Sequence, residues 1–217
     1  MSGMWPQASL PPGVPPEVPA PDPRRPWTPP TPGRPTFPSW DEIDVPDLVA
    51  ERLLAERIVN LGGHLDTALA NRGTAQLLLL NRDSGQRPIE LHLSCRDSDL
   101  DAALALAGTV EMVEAPVHAI VHGTLRGPAL AVLCAATERG AHEGAVLVLS
   151  LPPATAEGTA GQQAIQAEHH EHQVARLRDL IADATGWGAD WVAAELRSGR
   201  VLSAEQALHY GLINRLL

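Results

Sequence analysis

Five residues in the C-terminal third of the chain have the chemistry of metal ligands. The segment EHHEH at residues 168–172 carries three histidines and two glutamates. On a helix, His169 and His172 would share one face at a spacing of three residues, and Glu168 and His172 at a spacing of four. No second group of ligands is apparent in the sequence. We therefore interpret this segment as a solvated helix face and predict neither a bound metal nor another cofactor.

The turn GTLRGP at residues 123–128 is the second candidate for chemistry, because an apolar strand precedes it and an apolar helix follows it. Hydrolases of several folds hold a nucleophile in such a turn and surround it with backbone N–H groups. Here Gly127 has no side chain, and Pro128 has no N–H. The turn therefore lacks both a hydroxyl for attack and a donor for an oxyanion.

Relocated nucleophiles are an alternative that the sequence leaves open. The candidate nucleophiles are Ser94, Ser98 and Ser150, and the candidate bases are His92, His118, His122 and His142. Single serines and histidines at strand ends are usually structural, and nothing in the sequence pairs these residues with one another.

Composition restricts the partners and the compartment. The net charge is -10 and all sixteen basic residues are arginines, which argues against a nucleic acid or an anionic membrane as a partner. No apolar stretch of about eighteen residues is present, and the N-terminus lacks the apolar region of a secretory signal. The sequence therefore predicts a soluble cytoplasmic protein in which Cys95 and Cys134 are buried thiols.

Domain organisation follows from the prolines. Residues 1–40 contain fourteen of the twenty prolines and show no hydrophobic periodicity. Such a segment cannot bury enough apolar surface to offset the entropy of ordering, so we predict a disordered tail at 1–40. Residues 41–217 are long enough for one domain.

Helices and strands alternate along that domain. Apolar spacing predicts helices at 48–56, 66–82, 100–113, 127–136, 160–184, 189–196 and 203–210, and strands at 57–61, 89–93, 117–121, 145–151 and 212–217. Asp66 is placed in the first turn of its helix, and Ser203 caps its helix with Gln206 reaching back. Strands separated by helices predict right-handed crossovers and a mostly parallel sheet.

Five segments together resemble the proteolytic subunit of the ATP-dependent Clp protease. They are ERLLAERIVNLGGHLD at 51–66, AQLLLLN at 75–81, IELHLS at 89–94, VHAIVHG at 117–123 and LSAEQALHYGLINRLL at 202–217. The last is the most specific, since it is similar to the LSAxEAxxYGLID ending of that family. The resemblance covers about residues 45–217 and implies an α/β ClpP/crotonase-like fold of repeated ββα and βα units with a long protruding helix.

The same resemblance implies a Ser-His-Asp triad and an oxyanion hole whose residues this chain lacks. The motifs place the triad on Gly127, on or near Ser150 and on Gly199, and the oxyanion donors on Asp97 and Ser98 in place of a Gly-Gly pair and on Pro128. Losing one oxyanion donor costs about 10²- to 10³-fold in rate, and losing a triad about 10⁶-fold. The resemblance thus implies a subunit without the chemistry of the family.

Two classes of function remain at this point. The first is a catalytically inactive, structural or regulatory subunit of a Clp-type ring, forming homo-oligomers or hetero-oligomers with Clp proteolytic subunits and contacting a Clp ATPase. The second is a serine-type peptidase or an acyl-CoA (crotonase-like) enzyme that uses displaced residues, although Pro128 removes a donor that the latter needs. In the family the helix equivalent to 162–184 contacts a stacked ring, so the histidines at 169–172 are expected at that contact.

Overall fold

The structure is a computed structural model that describes residues 47–152 and 159–217. The tail predicted at residues 1–40 lies outside the described residues, so its disorder stays a prediction.

The described residues form an α/β fold. The helices are α1 (Asp47–Ala55), α2 (Thr67–Asp83), α3 (Leu100–Met112), α4 (Leu130–Cys134), α5 (Ala160–Thr185), α6 (Ala189–Ser198) and α7 (Ala204–His209). The strands are β1 (Ile58–Leu65), β2 (Ile89–Ser98), β3 (Val117–Val121), β4 (Thr124–Arg126), β5 (Glu138–Ala141), β6 (Val146–Val148), β7 (Val201–Ser203) and β8 (Arg215–Leu216). A 3-10 turn, Gly127–Ala129, links β4 to α4.

The strands form two sheets. Five parallel strands have the order β1-β2-β3-β5-β8, and a smaller sheet has the order β4-β6-β7, in which only β6 and β7 are antiparallel. Strand β2 shows why the larger sheet forms, because its apolar residues alternate with polar ones. Ile89, Leu91 and Leu93 are buried in the core, whereas Glu90 and His92 are half-buried on the opposite face. The predicted mostly parallel sheet is confirmed.

The long helix α5 is partly exposed. Thr159 and Gln162 form a capping box at its N-terminus, and Gly186 ends it in a left-handed conformation. On its predicted apolar face Leu177 and Ile181 are fully buried, but Ile165 is 70% exposed. The N-terminal half therefore extends beyond the core, as predicted for a protruding helix. Within the described ranges, no helix is long and apolar enough to span a membrane.

Some boundaries differ from the sequence predictions. Strand β2 continues past residue 93 to Ser98, since the backbone of its polar end pairs with β1. Strands β4, β5 and β7 were not predicted, because three or four residues carry too little periodicity. The predicted helix at 127–136 begins as a 3-10 turn.

The two predicted helix starts have different outcomes. Asp66 precedes α2 as its N-cap, and its carboxylate accepts the N–H of Leu69 at 2.8 Å, so its placement inside the first turn was wrong. The capping box of Ser203 and Gln206 is confirmed.

The core is aliphatic and closely packed. A Cβ atom on Gly73 of α2 would lie 3.2 Å from a methyl carbon of Leu61 and 3.3 Å from one of Leu106, so glycine lets α2 approach both β1 and α3. Cys95 and Cys134 are buried free thiols, which confirms that prediction. Burial raises the pKa of Cys95 to about 11 and that of Cys134 to about 12, so neither is a thiolate nucleophile near neutral pH.

Arg57 joins three parts of the fold at the start of β1. Its side chain is 4% exposed, and its backbone has a φ of 65°. Its guanidinium donates five hydrogen bonds of 2.9–3.2 Å, to the carbonyls of Leu80, Ser84, Arg87 and Pro88 and to the carboxylate of Asp83. These bonds hold the end of α2 and the loop before β2 against β1. They also offset the energetic cost of the left-handed backbone conformation of Arg57.

We predict that Arg57→Ala lowers the free energy of unfolding by about 2–4 kcal/mol, because it removes the five hydrogen bonds that this nearly buried guanidinium donates to the end of α2 and to the loop before β2. Arg52→Ala is the matched control, since Arg52 forms only an exposed i,i+4 ion pair with Glu56 at 3.5 Å. Losing this pair should lower the free energy of unfolding by less than about 0.5 kcal/mol. Urea unfolding of the three proteins measures both effects. Equal stability of the two variants would contradict this role for Arg57.

Candidate functional site

The chain turns sharply after β4, and Gly127 and Pro128 explain how it can do so. Gly127 has a φ of 62°, which glycine adopts without steric cost. Pro128 follows in the 3-10 turn, where its missing N–H costs nothing because the first N–H groups of a helix have no partner within it. The backbone thus turns sharply from the small sheet into α4, and no side chain projects from position 127.

A pocket of about 310 Å³ opens beside this turn. Its lining includes five of the six predicted site positions, namely Asp97, Ser98, Gly127, Pro128 and Ser150. A Cβ atom on Gly127 would lie 3.4 Å from Ser150 Oγ and 3.5 Å from the carbonyl oxygen of Ser150. The structure therefore brings these five positions together from β2, the β4–α4 turn and the segment after β6.

Gly199, the sixth predicted position, ends α6 in a left-handed conformation. The next residue, Arg200, accepts the N–H of Leu149 at 2.8 Å, so this loop runs beside the segment that contains Ser150. A Cβ atom on Gly199 would meet nothing within 4 Å. Neither Gly127 nor Gly199 offers a functional side chain.

Ser98 joins the end of β2 to the turn. Its hydroxyl accepts the N–H of Ala129 at 2.9 Å and donates to the carbonyl oxygen of Arg126 at 3.2 Å. The residue is buried, at 6% exposure. Because the hydroxyl proton is directed at a backbone carbonyl, Ser98 acts as a structural link in this arrangement.

The carboxylate of Asp97 is hydrogen-bonded to the backbone of the next residue. Its Oδ1 accepts the backbone N–H of Ser98 at 2.9 Å, and its Oδ2 lies 3.5 Å from Nδ1 of His64. This carboxylate takes up the N–H of Ser98, and Pro128 has none to offer. Neither Ser98 nor Pro128 therefore has a free backbone N–H in this structure.

Besides Asp97, the charged residues that line the pocket are two arginines. Arg96 and Arg126 both line it, and Nε of Arg126 donates to Ser150 Oγ at 3.4 Å. Over the parts of the chain that the structure describes, no hydrogen bond links Ser94, Ser98 or Ser150 to a histidine. A guanidinium cannot accept a proton from a serine, so the relocated nucleophiles have no general base in contact.

His169 and His170 of α5 line a neighbouring groove of about 480 Å³. His169 faces Asp101 with a separation of 3.6 Å, and His64, Asp97 and Asp99 also line this groove. His172 is exposed on the following turn. The structure thus pairs His169 with an aspartate of α3 and does not bring His172 into the same contact.

Sequence reasoning missed a second cluster. His92, His122 and His142, weighed only as separate bases, lie against one another on the open face of the larger sheet. Burial, followed by the charges of His92 and His142, lowers the pKa of His122, while Glu90 acts in the opposite direction. His122 is therefore neutral at pH 7. The signal in the sequence is positional, because these histidines lie in or directly after neighbouring strands.

Comparison with known proteins agrees with the resemblance found in the sequence. A family model described as Clp protease matches residues 44–217. The ATP-dependent Clp protease proteolytic subunit 2 of Rhodococcus jostii (strain RHA1) is 32% identical over 177 residues, covering 81% of this chain and 91% of the relative. A Clp protease proteolytic subunit-like protein of Streptomyces coelicolor is 37% identical over 171 residues, covering 76% of this chain and 81% of the relative.

We predict that Ser98→Ala destabilises the protein by about 1–3 kcal/mol, because the N–H of Ala129 and the carbonyl of Arg126 both lose their partner. Ser94→Ala, in the same strand, is the control and changes stability by less than about 0.5 kcal/mol, since the Ser94 side chain makes no hydrogen bond in the structure. Chemical unfolding measures the difference. A Ser98→Ala protein as stable as the control would show that the link contributes nothing.

Proposed function

Because the chain belongs to the Clp protease family, we propose that it is a catalytically inactive member that serves as a structural or regulatory subunit of a Clp-type ring complex. The observation that carries the proposal is the pocket beside Gly127. It gathers five of the six positions at which the resemblance expects catalytic or oxyanion-binding groups, and those positions hold none of the required groups.

Peptide hydrolysis by a serine peptidase needs an activated hydroxyl, a base and donors for the oxyanion. Gly127 supplies no hydroxyl, and the pocket-lining residues near it include arginines but no histidine. Pro128 has no N–H, and the N–H of Ser98 is bonded to Asp97. With all three components altered, the expected loss is at least the 10⁶-fold or so that follows loss of a triad.

Displaced chemistry at Ser150 is the enzymatic alternative. The Ser150 hydroxyl accepts from Arg126, and a neighbouring guanidinium favours an ionised serine only if a separate base removes the proton. The described residues place no such base in contact with it. The contacts of Ser150 therefore favour the inactive subunit over a peptidase or an acyl-CoA enzyme.

The exposed part of α5 supports the proposal that this chain assembles with other subunits. The N-terminal half of α5 projects with Ile165 exposed, while Leu177 and Ile181 anchor its C-terminal half in the core. An exposed helix of this kind is suited to burial against another subunit. We propose as partners further copies of this chain or active Clp proteolytic subunits, with a Clp ATPase contacting the ring, and a cytoplasmic location.

We predict that the purified protein does not hydrolyse peptides and that Gly127→Ser does not restore hydrolysis. The variant would gain a hydroxyl without a base, an acid or an oxyanion donor. Gly127→Ala is the matched control, because both variants carry a Cβ at a positive φ and share its cost of about 1 kcal/mol or more.

Fluorogenic peptide turnover and labelling by a fluorophosphonate probe measure this prediction, with an active Clp proteolytic subunit as positive control. Turnover by Gly127→Ser above that of Gly127→Ala, or labelling of wild type at Ser150, would overturn the assignment as an inactive subunit.

A further inference from the structure

Strand β2 contains one residue more than its neighbour β1 where it approaches the pocket beside Gly127. Gly63 pairs with Cys95, but His64, the next residue of β1, pairs with Asp97. Arg96 is therefore the extra residue at a bulge, which breaks the alternation of buried and exposed side chains. Arg96 and Asp97 are both exposed, although they are consecutive, and both line the pocket.

A second arginine reaches the same pocket from the small sheet. Arg126 is the last residue of β4, and its exposed side chain has one hydrogen bond among the described residues, from Nε to Ser150 Oγ at 3.4 Å. The guanidinium of Arg96 makes no hydrogen bond or ion pair with any described residue. Because each guanidinium carries five N–H donors, most of the donors of these two arginines are available to a ligand.

The carboxylate of Asp97 offsets only part of this positive charge. Its Oδ1 accepts the backbone N–H of Ser98 at 2.9 Å, and its Oδ2 lies 3.5 Å from Nδ1 of His64, which lines the neighbouring groove. The charged residues of the pocket are thus two arginines and one aspartate whose oxygens are already in contact with other groups. An excess of positive charge with free N–H donors favours an anionic ligand.

Apolar residues complete the lining and restrict which anion fits. Pro128, Leu151 and Pro152 lie in the same pocket as the arginines. Its volume of about 310 Å³ is at the lower end of the range for ligand pockets, so it has room for one end of a peptide and not for a long segment. The last residue of a peptide combines a carboxylate with a side chain. An inorganic phosphate ion would leave the apolar lining without a contact.

We propose that the pocket beside Gly127 binds the C-terminal carboxylate of a peptide, with Arg96 and Arg126 as the donors. The apolar lining favours a peptide whose last side chain is apolar. Arginine suits this role because its planar guanidinium matches the two oxygens of a carboxylate. The inference rests on the proposed function in one respect, since an inactive subunit would hold such a peptide without cleaving it.

The structure makes the two arginines the groups on which affinity depends. The backbone N–H of Ser98 is bonded to Asp97, and that of Ala129 is bonded to the hydroxyl of Ser98, so neither is free for a ligand. The contact of Arg126 with Ser150, at 3.4 Å, is long for a hydrogen bond. Arg126 can therefore turn to a carboxylate at little cost.

The test measures fluorescence anisotropy of two fluorescein-labelled pentapeptides of alanine and leucine added to the full-length chain. Both peptides end in leucine, one with a free carboxylate and the other with an amide. We expect the amide to bind at least about 10-fold more weakly, because it cannot form the charge-assisted hydrogen bonds. Arg96→Gln and Arg126→Gln should each weaken binding of the carboxylate peptide by about 10- to 100-fold. Arg52→Gln is the control, since it removes an exposed arginine of α1 outside the pocket and should bind as wild type does.

Thermal unfolding establishes that each variant is folded, and the comparison of the two peptides keeps the test decisive if an arginine variant fails to fold. Equal binding of both peptides, no binding by wild type, or binding that Arg96→Gln or Arg126→Gln leaves unchanged would overturn the site. Displacement of neither peptide but binding of sodium phosphate alone would also overturn it. A peptide that binds through its carboxylate and is then cleaved, as mass spectrometry would show, would support the site and contradict the inactive assignment.

Discussion

The parallel alignment of β1, β2, β3 and β5 is the constraint on which the rest of the structure depends. Parallel strands must each be followed by a crossover, so their carboxyl ends and the turns after them collect at one edge of the sheet. In this chain the end of β2 carries Asp97 and Ser98, and His122 and His142 directly follow β3 and β5. Both the pocket beside Gly127 and the histidine cluster include residues from these strand ends.

The hydrogen bonds beside Gly127 connect the residues of the pocket to one another. The hydroxyl of Ser98 bonds the backbone of the β4–α4 turn on both sides of Gly127 and Pro128, and Asp97 holds the N–H of Ser98. Polar groups at the predicted catalytic positions thus satisfy one another within the protein.

The parts of the fold that were predictable from sequence are those with local signals. Alternation in β2, the helical spacing of α3 and the capping box at Ser203 each depend on a few consecutive residues. Strands β4, β5 and β7 are too short to carry such a pattern. They form because their backbones pair with neighbouring strands. The meeting of Gly127 with Ser150 was expected only through the resemblance, and the grouping of His92, His122 and His142 needs the register between strands, which the periodicity of one strand does not give.

Assembly is the central claim of this account, and native mass spectrometry of the chain co-expressed with an active Clp proteolytic subunit tests it most directly. The account predicts mixed rings in which the number of fluorophosphonate-labelled sites falls by one for each copy of this chain that is incorporated. A chain that stays monomeric, with no mixed complex at any salt concentration, would contradict the assembly role.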